Sequence, residues 1–395
     1  MASRANPKVP ADPAQVRISV VIGGPSQKDP SDAMRQSAPD IPELIRGMGL
    51  EVADGPEIYR PSQFWTYLAD VNADQLSRTG FGRFKRTINQ NYFNWLITRP
   101  QDPQFRSLLK SWIRHPTASV LGARLADGDG VEVIEERMRI LRSGRSRAGH
   151  AAFVALLWEH ARRRDRLGLL DQLMEPLLGS PILVQHRGRS ISQDLANSAL
   201  EFYSILDGFP DGIPDGATVI ELGGGYGRMG WFLLSVVPGV RYVAVDIPPA
   251  LAVAQAYLTS LFPDLPAARF RRGIDGLEAA VQGSRLAFIT PNQLEALAPL
   301  EANLFINISS LHEMRPEQIA QYLGLVDRHT KGVFYTKQWR DWTNPRDGNR
   351  VRQEDYPIPP GWQPIYERAH EVQTHFFEAA YEVPGSARLR TRAAP

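Results

Sequence analysis

Ala217-Thr218-Val219-Ile220-Glu221-Leu222-Gly223-Gly224-Gly225-Tyr226-Gly227-Arg228-Met229-Gly230 is the stretch that decides the fold of this 395-residue chain. Its first half reads as a short apolar β-strand ending in an acid. Its second half is a glycine-rich turn that opens a helix. The glycines at 223, 224, 225 and 227 carry no Cβ, so the backbone can take positive φ and approach a bulky ligand closely. The helix N-terminus behind them offers unpaired N–H groups. A nucleotide-like cofactor is the expected occupant; an αL turn without a ligand is the alternative.

Two kinds of cofactor compete for this turn. Gly225-Tyr-Gly227-Arg-Met-Gly230 matches the G-x-G-x-x-G pattern of dinucleotide sites, and Asp246 lies near the position expected of the ribose acid. Glu221-Leu-Gly223-Gly-Gly225-Tyr-Gly227 also fits the acid-x-G-x-G-x-G pattern of Rossmann-like methyltransferases, whose cofactor is S-adenosyl-L-methionine. That cofactor has no pyrophosphate and carries an ammonium and a sulfonium. An acid at the strand end attracts such a ligand and would repel a pyrophosphate. Glu221 therefore selects S-adenosylmethionine.

Composition narrows the remaining possibilities. The net charge is +2, and 6 of the 45 basic residues are lysines, the arginines being scattered; no nucleic-acid footprint is present. With 0 cysteines, disulfides, thiolate zinc sites and a cysteine nucleophile are excluded, and a reducing compartment fits. Residues 1–40 are rich in Pro, Ser and Ala without an apolar run, which argues against a signal peptide and for a disordered leader, although Val16–Ile22 could pair as a strand. Residues 385–395 read as a disordered tail. No apolar stretch approaches the ~18 residues of a membrane span. The expectation is a cytoplasmic protein with a small-molecule partner.

Residues 41–200 have helical periodicity, in Ile41–Met48, Phe105–Ile113 and Ala151–Trp158, and are expected to form a helical substrate or lid domain. Residues 201–384 alternate short β runs with helices: Thr218–Leu222, Tyr242–Asp246, Leu286–Thr290, Leu304–Ile308 and Val333–Thr336. Strands separated by helices imply parallel βαβ units. Two last runs, Pro364–Val372 and Phe376–Glu382, are joined too closely for anything but antiparallel pairing. The expected fold is α/β, a Rossmann-like class I methyltransferase with a seven-stranded mixed sheet ending in an antiparallel hairpin, preceded by a helical domain.

In such a sheet the ligand lies beyond the carboxyl ends of the strands. Glu221, Gly223, Gly224, Gly225, Tyr226 and Gly227 would then surround the cofactor's amino-acid end. Asp246, with Ile247 beside it, would take the ribose hydroxyls, or else cap the helix that follows Pro248-Pro249. Asn292 or Gln293 would meet the adenine. The run Asn303–Met314 brings Asn307 and Ser309 to the cofactor and His312 and Glu313 to the transferred methyl. His312 is the expected general base, because histidine titrates near neutrality, with Glu313 orienting it or binding sugar hydroxyls. The alternative is that His312-Glu313 only opens the next helix. His370 and His375 are five apart on the terminal strands and face opposite sides, so no metal site is expected.

Four passages carry a family resemblance: Arg60-Pro-Ser-Gln-Phe-Trp65; Gly80-Phe-Gly-Arg-Phe-Lys-Arg86 with Asn91-Tyr-Phe-Asn-Trp95; Ile191-Ser-Gln-Asp-Leu-Ala-Asn-Ser198; and Ser310-Leu-His-Glu-Met314. The chain, from about Pro61 to Glu382, resembles the sugar O-methyltransferases of bacterial polysaccharide and natural-product gene clusters. The resemblance implies methyl transfer to a hydroxyl of a sugar or glycoside. Gln193 and Asn197, four apart and so on one helix face, are candidates for contact with the acceptor or the cofactor's carboxylate, or else they face solvent or cap the helix. Lys337 and Trp339 follow the fifth strand, and Trp339 with Trp342 could stack on a sugar ring or pack in the core. Tyr92, Phe93 and Trp95 are expected in the core. A non-sugar acceptor, or a SAM- or NAD-binding protein without catalysis, are the competing functions.

Overall fold

A computed structural model of the chain describes residues 40–89, 96–116, 120–130, 132 and 136–384. The leader, Val16–Ile22, the passage Asn91–Trp95 with Tyr92, Phe93 and Trp95, and the tail lie outside the described residues. Apolar runs buried on both faces build most of the central sheet, whose edge strand Gln363–Ala369 is largely exposed. Its strands are β4 (Thr218–Leu222), β5 (Arg241–Val245), β6 (Ala267–Ala268), β7 (Leu286–Ile289), β8 (Ala302–Ile308), β9 (Thr330–Trp339), β12 (Gln363–Ala369) and β13 (Phe376–Glu382). Ahead of them stand β1 (Arg124–Leu125), β2 (Val184–His186) and β3 (Arg189–Ile191), and β10 (Asp341–Thr343) pairs with β11 (Arg350–Arg352) as a separate ribbon.

The spatial order is β12-β13-β9-β8-β4-β5-β7-β6. The strands from β4 to β9 pair in parallel, and β13 runs antiparallel between β9 and β12. This is the Rossmann-like class I methyltransferase arrangement, and each expected strand falls within a residue or a few of its place. Among the described residues the sheet has 8 strands rather than seven. The addition, β6, spans two alanines at the edge and is too short to show an apolar pattern. The small β1-β2-β3 sheet also interrupts a span read as helical, since two- and three-residue strands are set by tertiary pairing rather than by periodicity.

From β4 the chain passes to β5, out to the edge strand β6 and back to β7 between them, then crosses to β8 on β4's other side. The carboxyl ends of β4 and β8 thus flank the switch in strand order, where α/β sheets bind ligands. The helix Gln193–Asp207 is buried along nearly its whole length and spans the expected division at 200/201. One apolar core joins Phe84, Phe153 and Trp158 of the helical part to Phe202, Phe232 and Leu258 beside the sheet. A second core on the sheet's other face gathers Ile220, Val243, Phe305 and Phe334. The N-terminal helix Ile41–Asp54 begins at Asp40, whose carboxylate accepts from Glu43 N at 3.1 Å. It reaches across the sheet's end, where Asn292 Nδ2 donates to Glu51 Oε1 at 2.9 Å. Gln318 Nε2 likewise donates to the carbonyls of Ile58 and Arg60, at 2.8 and 2.9 Å. These bonds hold Tyr59–Trp65 over the strand ends.

Candidate active site

The glycine turn is built around steric contacts that no side chain would permit. A Cβ on Gly223, at φ +73°, would sit 2.4 Å from Ser310 Oγ, and one on Gly230 would sit 2.5 Å from the Tyr242 ring. The turn therefore lies directly on the end of β8 and on β5. Gly227, at φ +87°, is the N-cap of the helix Arg228–Val236.

Above the turn opens a cavity of about 1080 Å³, counting its mouth. Glu221, Gly223, Gly224, Gly225, Tyr226, Asp246, Ile247, Ser309 and Glu313 line it, so half of the expected site residues come together. Glu221 is 3% exposed and accepts a hydrogen bond from Tyr242 OH. Burial pushes its carboxyl up to about 7, against the Tyr242 hydrogen bond and Arg228. Asp246 accepts from Ile247 N at 2.7 Å with one oxygen and from Gly225 N at 3.0 Å with the other. Burial lifts it too to about 7, against these two backbone donors. Asp246 does not cap the next helix, whose N-cap Pro249 has no side-chain bond. Among the described residues neither carboxylate pairs with a basic side chain.

Other expected residues stand outside the lining. Gln293 is fully buried and committed: Oε1 accepts from Thr290 N, and Nε2 donates to the carbonyls of Arg271 and Gly273. Asn292 holds Glu51, while the neighbouring Pro291 lines the cavity. Asn307 is buried beneath the turn, its Nδ2 donating to Leu222 O at 2.9 Å and to Ser310 Oγ at 2.7 Å. Gln193 and Asn197 are buried in their helix and outside the cavity lining. Lys337 is buried against Glu201, at 2.7 Å, and Glu201 also accepts from Arg228 at 2.6 Å. Burial alone would raise the Glu201 carboxyl, but the two cations hold it below the ordinary range. Trp339 packs beside His375, Phe376 and His312 behind the cavity. His312 is 0% exposed and not part of the lining; its Nε2 lies 3.5 Å from Oε1 of Glu313, which does face the cavity.

No protein-family model matches the chain, and no curated protein is similar to it in sequence. Among solved structures the chain is similar to a TehB-like SAM-dependent methyltransferase from Corynebacterium glutamicum, at 13% identity over 43% of this chain and 82% of that one, with a TM-score of 0.30. It is similar to a SAM-dependent methyltransferase from Clostridium acetobutylicum at 14% identity over 42% and 83%, with a TM-score of 0.29. Mitomycin 7-O-methyltransferase gives 13% identity over 72% and 69%, with a TM-score of 0.32. The chemistry of the site rests on its own geometry.

That geometry includes residues the sequence did not single out. Asp194 Oδ2 accepts from Tyr226 OH at 2.7 Å and from Asn89 Nδ2 at 2.9 Å, and Tyr226 and Asn89 both line the cavity. Below them Lys85 pairs with Glu175 and lies over the Tyr226 and Tyr257 rings. The cue was a polar stripe, Asp194, Ser198 and Glu201, at helical spacing along the helix Gln193–Asp207. All three side chains bond to Tyr226 or Arg228 of the glycine segment. On the opposite wall Tyr59, Ser62, Trp65, Leu68, Met314 and Tyr322 complete the cavity.

Proposed function

We propose that the protein is a SAM-dependent O-methyltransferase acting on a hydroxyl of a sugar or glycoside. The observation that carries the cofactor is the pair Glu221 and Asp246. The buried Glu221 and the half-buried Asp246 at a cavity wall, neither in an ion pair among the described residues, call for a ligand that supplies positive charge and hydroxyl donors. An ammonium and a sulfonium above Glu221, with a ribose diol on Asp246, meet that need; a pyrophosphate does not. Glycines 223 to 225 would admit the amino-acid end, and Ile247 and Pro291 would flank the adenine. Bound there, S-adenosylmethionine supplies an electrophilic methyl whose departure leaves a neutral thioether.

What the chain itself must provide is a place for the acceptor's proton. The pair His312–Glu313 stands at the carboxyl end of β8, with Glu313 on the cavity wall, and supports a hydroxyl rather than a carbon acceptor. The half-buried Trp65 supports a ring-shaped acceptor, since an aromatic face covers the apolar face of a sugar. A second reading, a phenolic acceptor, is favoured by the apolar character of Tyr59, Leu68, Met314 and Tyr322 around the same space. Incubation with methyl-labelled S-adenosylmethionine and parallel panels of glycosides and phenols tests both. Label in glycosides alone supports the sugar reading, label in phenols alone the second. Absence of S-adenosylmethionine binding in calorimetry would sink both.

A further inference from the structure

The buried amides behind the cavity fix a proton position, and each step follows from a backbone group whose role is not in question. The Leu222 carbonyl can only accept, so the group 2.9 Å from it is Asn307 Nδ2. Asn307 Oδ1 accordingly faces the Leu311 N–H, 3.3 Å away. Gln338 sits against that oxygen at 2.5 Å, against the Asn307 carbonyl at 3.2 Å and against Thr336 Oγ1 at 3.0 Å. Two of these three are acceptors only, so this end of Gln338 is its Nε2. Its Oε1 must then point the other way, where it accepts from His312 N at 3.4 Å and lies 3.0 Å from His312 Nδ1. An oxygen there requires a proton on Nδ1.

We propose that Gln338 is a positioning residue that holds His312 as its Nδ1–H tautomer, so that Nε2 faces Glu313, and that the Glu313 carboxylate is the group that meets the acceptor hydroxyl. The proposal deepens the methyltransferase reading and rests on it for the acceptor's presence. His312 Nε2 is buried without a hydrogen-bond partner, and so is Glu313 Oε2. Trp342, Trp339 and Phe376 enclose the imidazole at ring separations of 5.3, 6.2 and 6.4 Å. A lone pair on Nε2 opposite a carboxylate leaves room for one shared proton, the one the reaction releases. As the acceptor oxygen bonds to the methyl and the methyl's bond to sulfur breaks, the acceptor's O–H bond breaks and the proton passes to Glu313. From there it moves to His312 Nε2, giving an imidazolium whose Nδ1–H stays on Gln338, and it leaves to water after the products.

The test is nitrogen NMR on the full chain labelled with ¹⁵N-histidine, with and without S-adenosylhomocysteine, the His312 signals being assigned by their loss in His312→Gln. The expected wild-type spectrum above neutral pH has a protonated Nδ1 and a bare Nε2. Gln338→Met should cut the Nδ1–H share at least about twofold, whereas Thr336→Val, which leaves Oε1 in place, should keep it. An Nε2–H tautomer in the wild type overturns the proposal, and so does an unchanged tautomer in a folded Gln338→Met. If Gln338→Met does not fold, the wild-type spectrum alone decides. The measurement needs no acceptor: an Nδ1–H tautomer in a protein that ignores S-adenosylhomocysteine would leave the positioning standing and sink the methyltransferase reading. An Nε2–H tautomer with S-adenosylhomocysteine bound would do the reverse.

Discussion

Glu221 and Asp246 hold protons in the folded chain that they would lose when unfolded, because burial raises each carboxyl to about 7, against roughly 4 in an open chain. Below about pH 4 both states carry the proton. Between about 4 and 7 the folded state binds more protons, so these groups make stability fall as pH rises, and the loss is complete above 7. A cation bound beside Glu221 favours ionisation, which gives binding the opposite slope. Stabilisation by S-adenosylmethionine, read as a rise in melting temperature, is therefore expected to be larger at pH 8 than at pH 5.5. Glu221→Gln should flatten the dependence; a larger rise at the lower pH would contradict the assignment. Asp246→Ala would remove the two charge-assisted hydrogen bonds proposed to ribose, each worth roughly 1.5–3 kcal/mol, and should weaken S-adenosylhomocysteine binding at least tenfold in calorimetry. Unchanged affinity would leave Asp246 as a brace for Gly225 alone. Both acids were legible in the sequence, since each falls at the carboxyl end of an apolar strand, Glu221 in β4 and Asp246 just after β5. Asp194 was not, because its partners Asn89 and Tyr226 lie 105 and 32 residues away. Its helix also places Asp194, rather than Gln193 or Asn197, against the glycine segment.

Strands were legible wherever burial on both faces produced a run of apolar residues, as in β4, β8 and β13, and illegible where pairing alone made them, as in β6. Helices showed their periodicity but not how closely they approach. Gly149, inside the helix Gly144–Arg164, is one such point: a Cβ there would lie 2.0 Å from the Thr98 carbonyl oxygen. One turn position on, His150 Nδ1 lies 3.1 Å from the carbonyl of Ile97, so the helix is pinned to that segment by backbone contact and a hydrogen bond. Gly149→Ala improves helix propensity by up to about 1 kcal/mol, yet the clash must move helix or segment, at a cost of roughly 1–3 kcal/mol or more. Overpacking wins, and the variant should unfold at a lower denaturant concentration than the wild type. Its residual S-adenosylhomocysteine affinity should be normal, since Gly149 is not part of the cavity lining. A variant as stable as the wild type would show that this packing yields freely.

At the scale of the molecule, sequence periodicity divides the chain near residue 200, whereas the packing does not. The helix Gln193–Asp207 lies between Phe153 and Trp158 on one side and Phe232 on the other within one apolar core. The sequence could not show this, because a helix buried all round is expected to be apolar all round, whereas this one buries Asp194, Ser198 and Glu201 against Tyr226 and Arg228, partners about thirty residues away. The consequence is testable with a chain that starts near Ser190. Such a chain loses Phe84, Phe153 and Trp158, each worth roughly 1.5–3 kcal/mol when fully buried, from a fold whose whole margin is about 5–15 kcal/mol. It also loses Asn89 and the partners Lys85 and Glu175 beneath Tyr226, together with Tyr59, Ser62, Trp65 and Leu68 from the cavity wall. The truncated chain is expected to show no cooperative unfolding transition and no S-adenosylhomocysteine binding. Binding within about threefold of the full chain would mean that the sheet and its flanking helices carry the cofactor site unaided, leaving the first half only the acceptor to recognise.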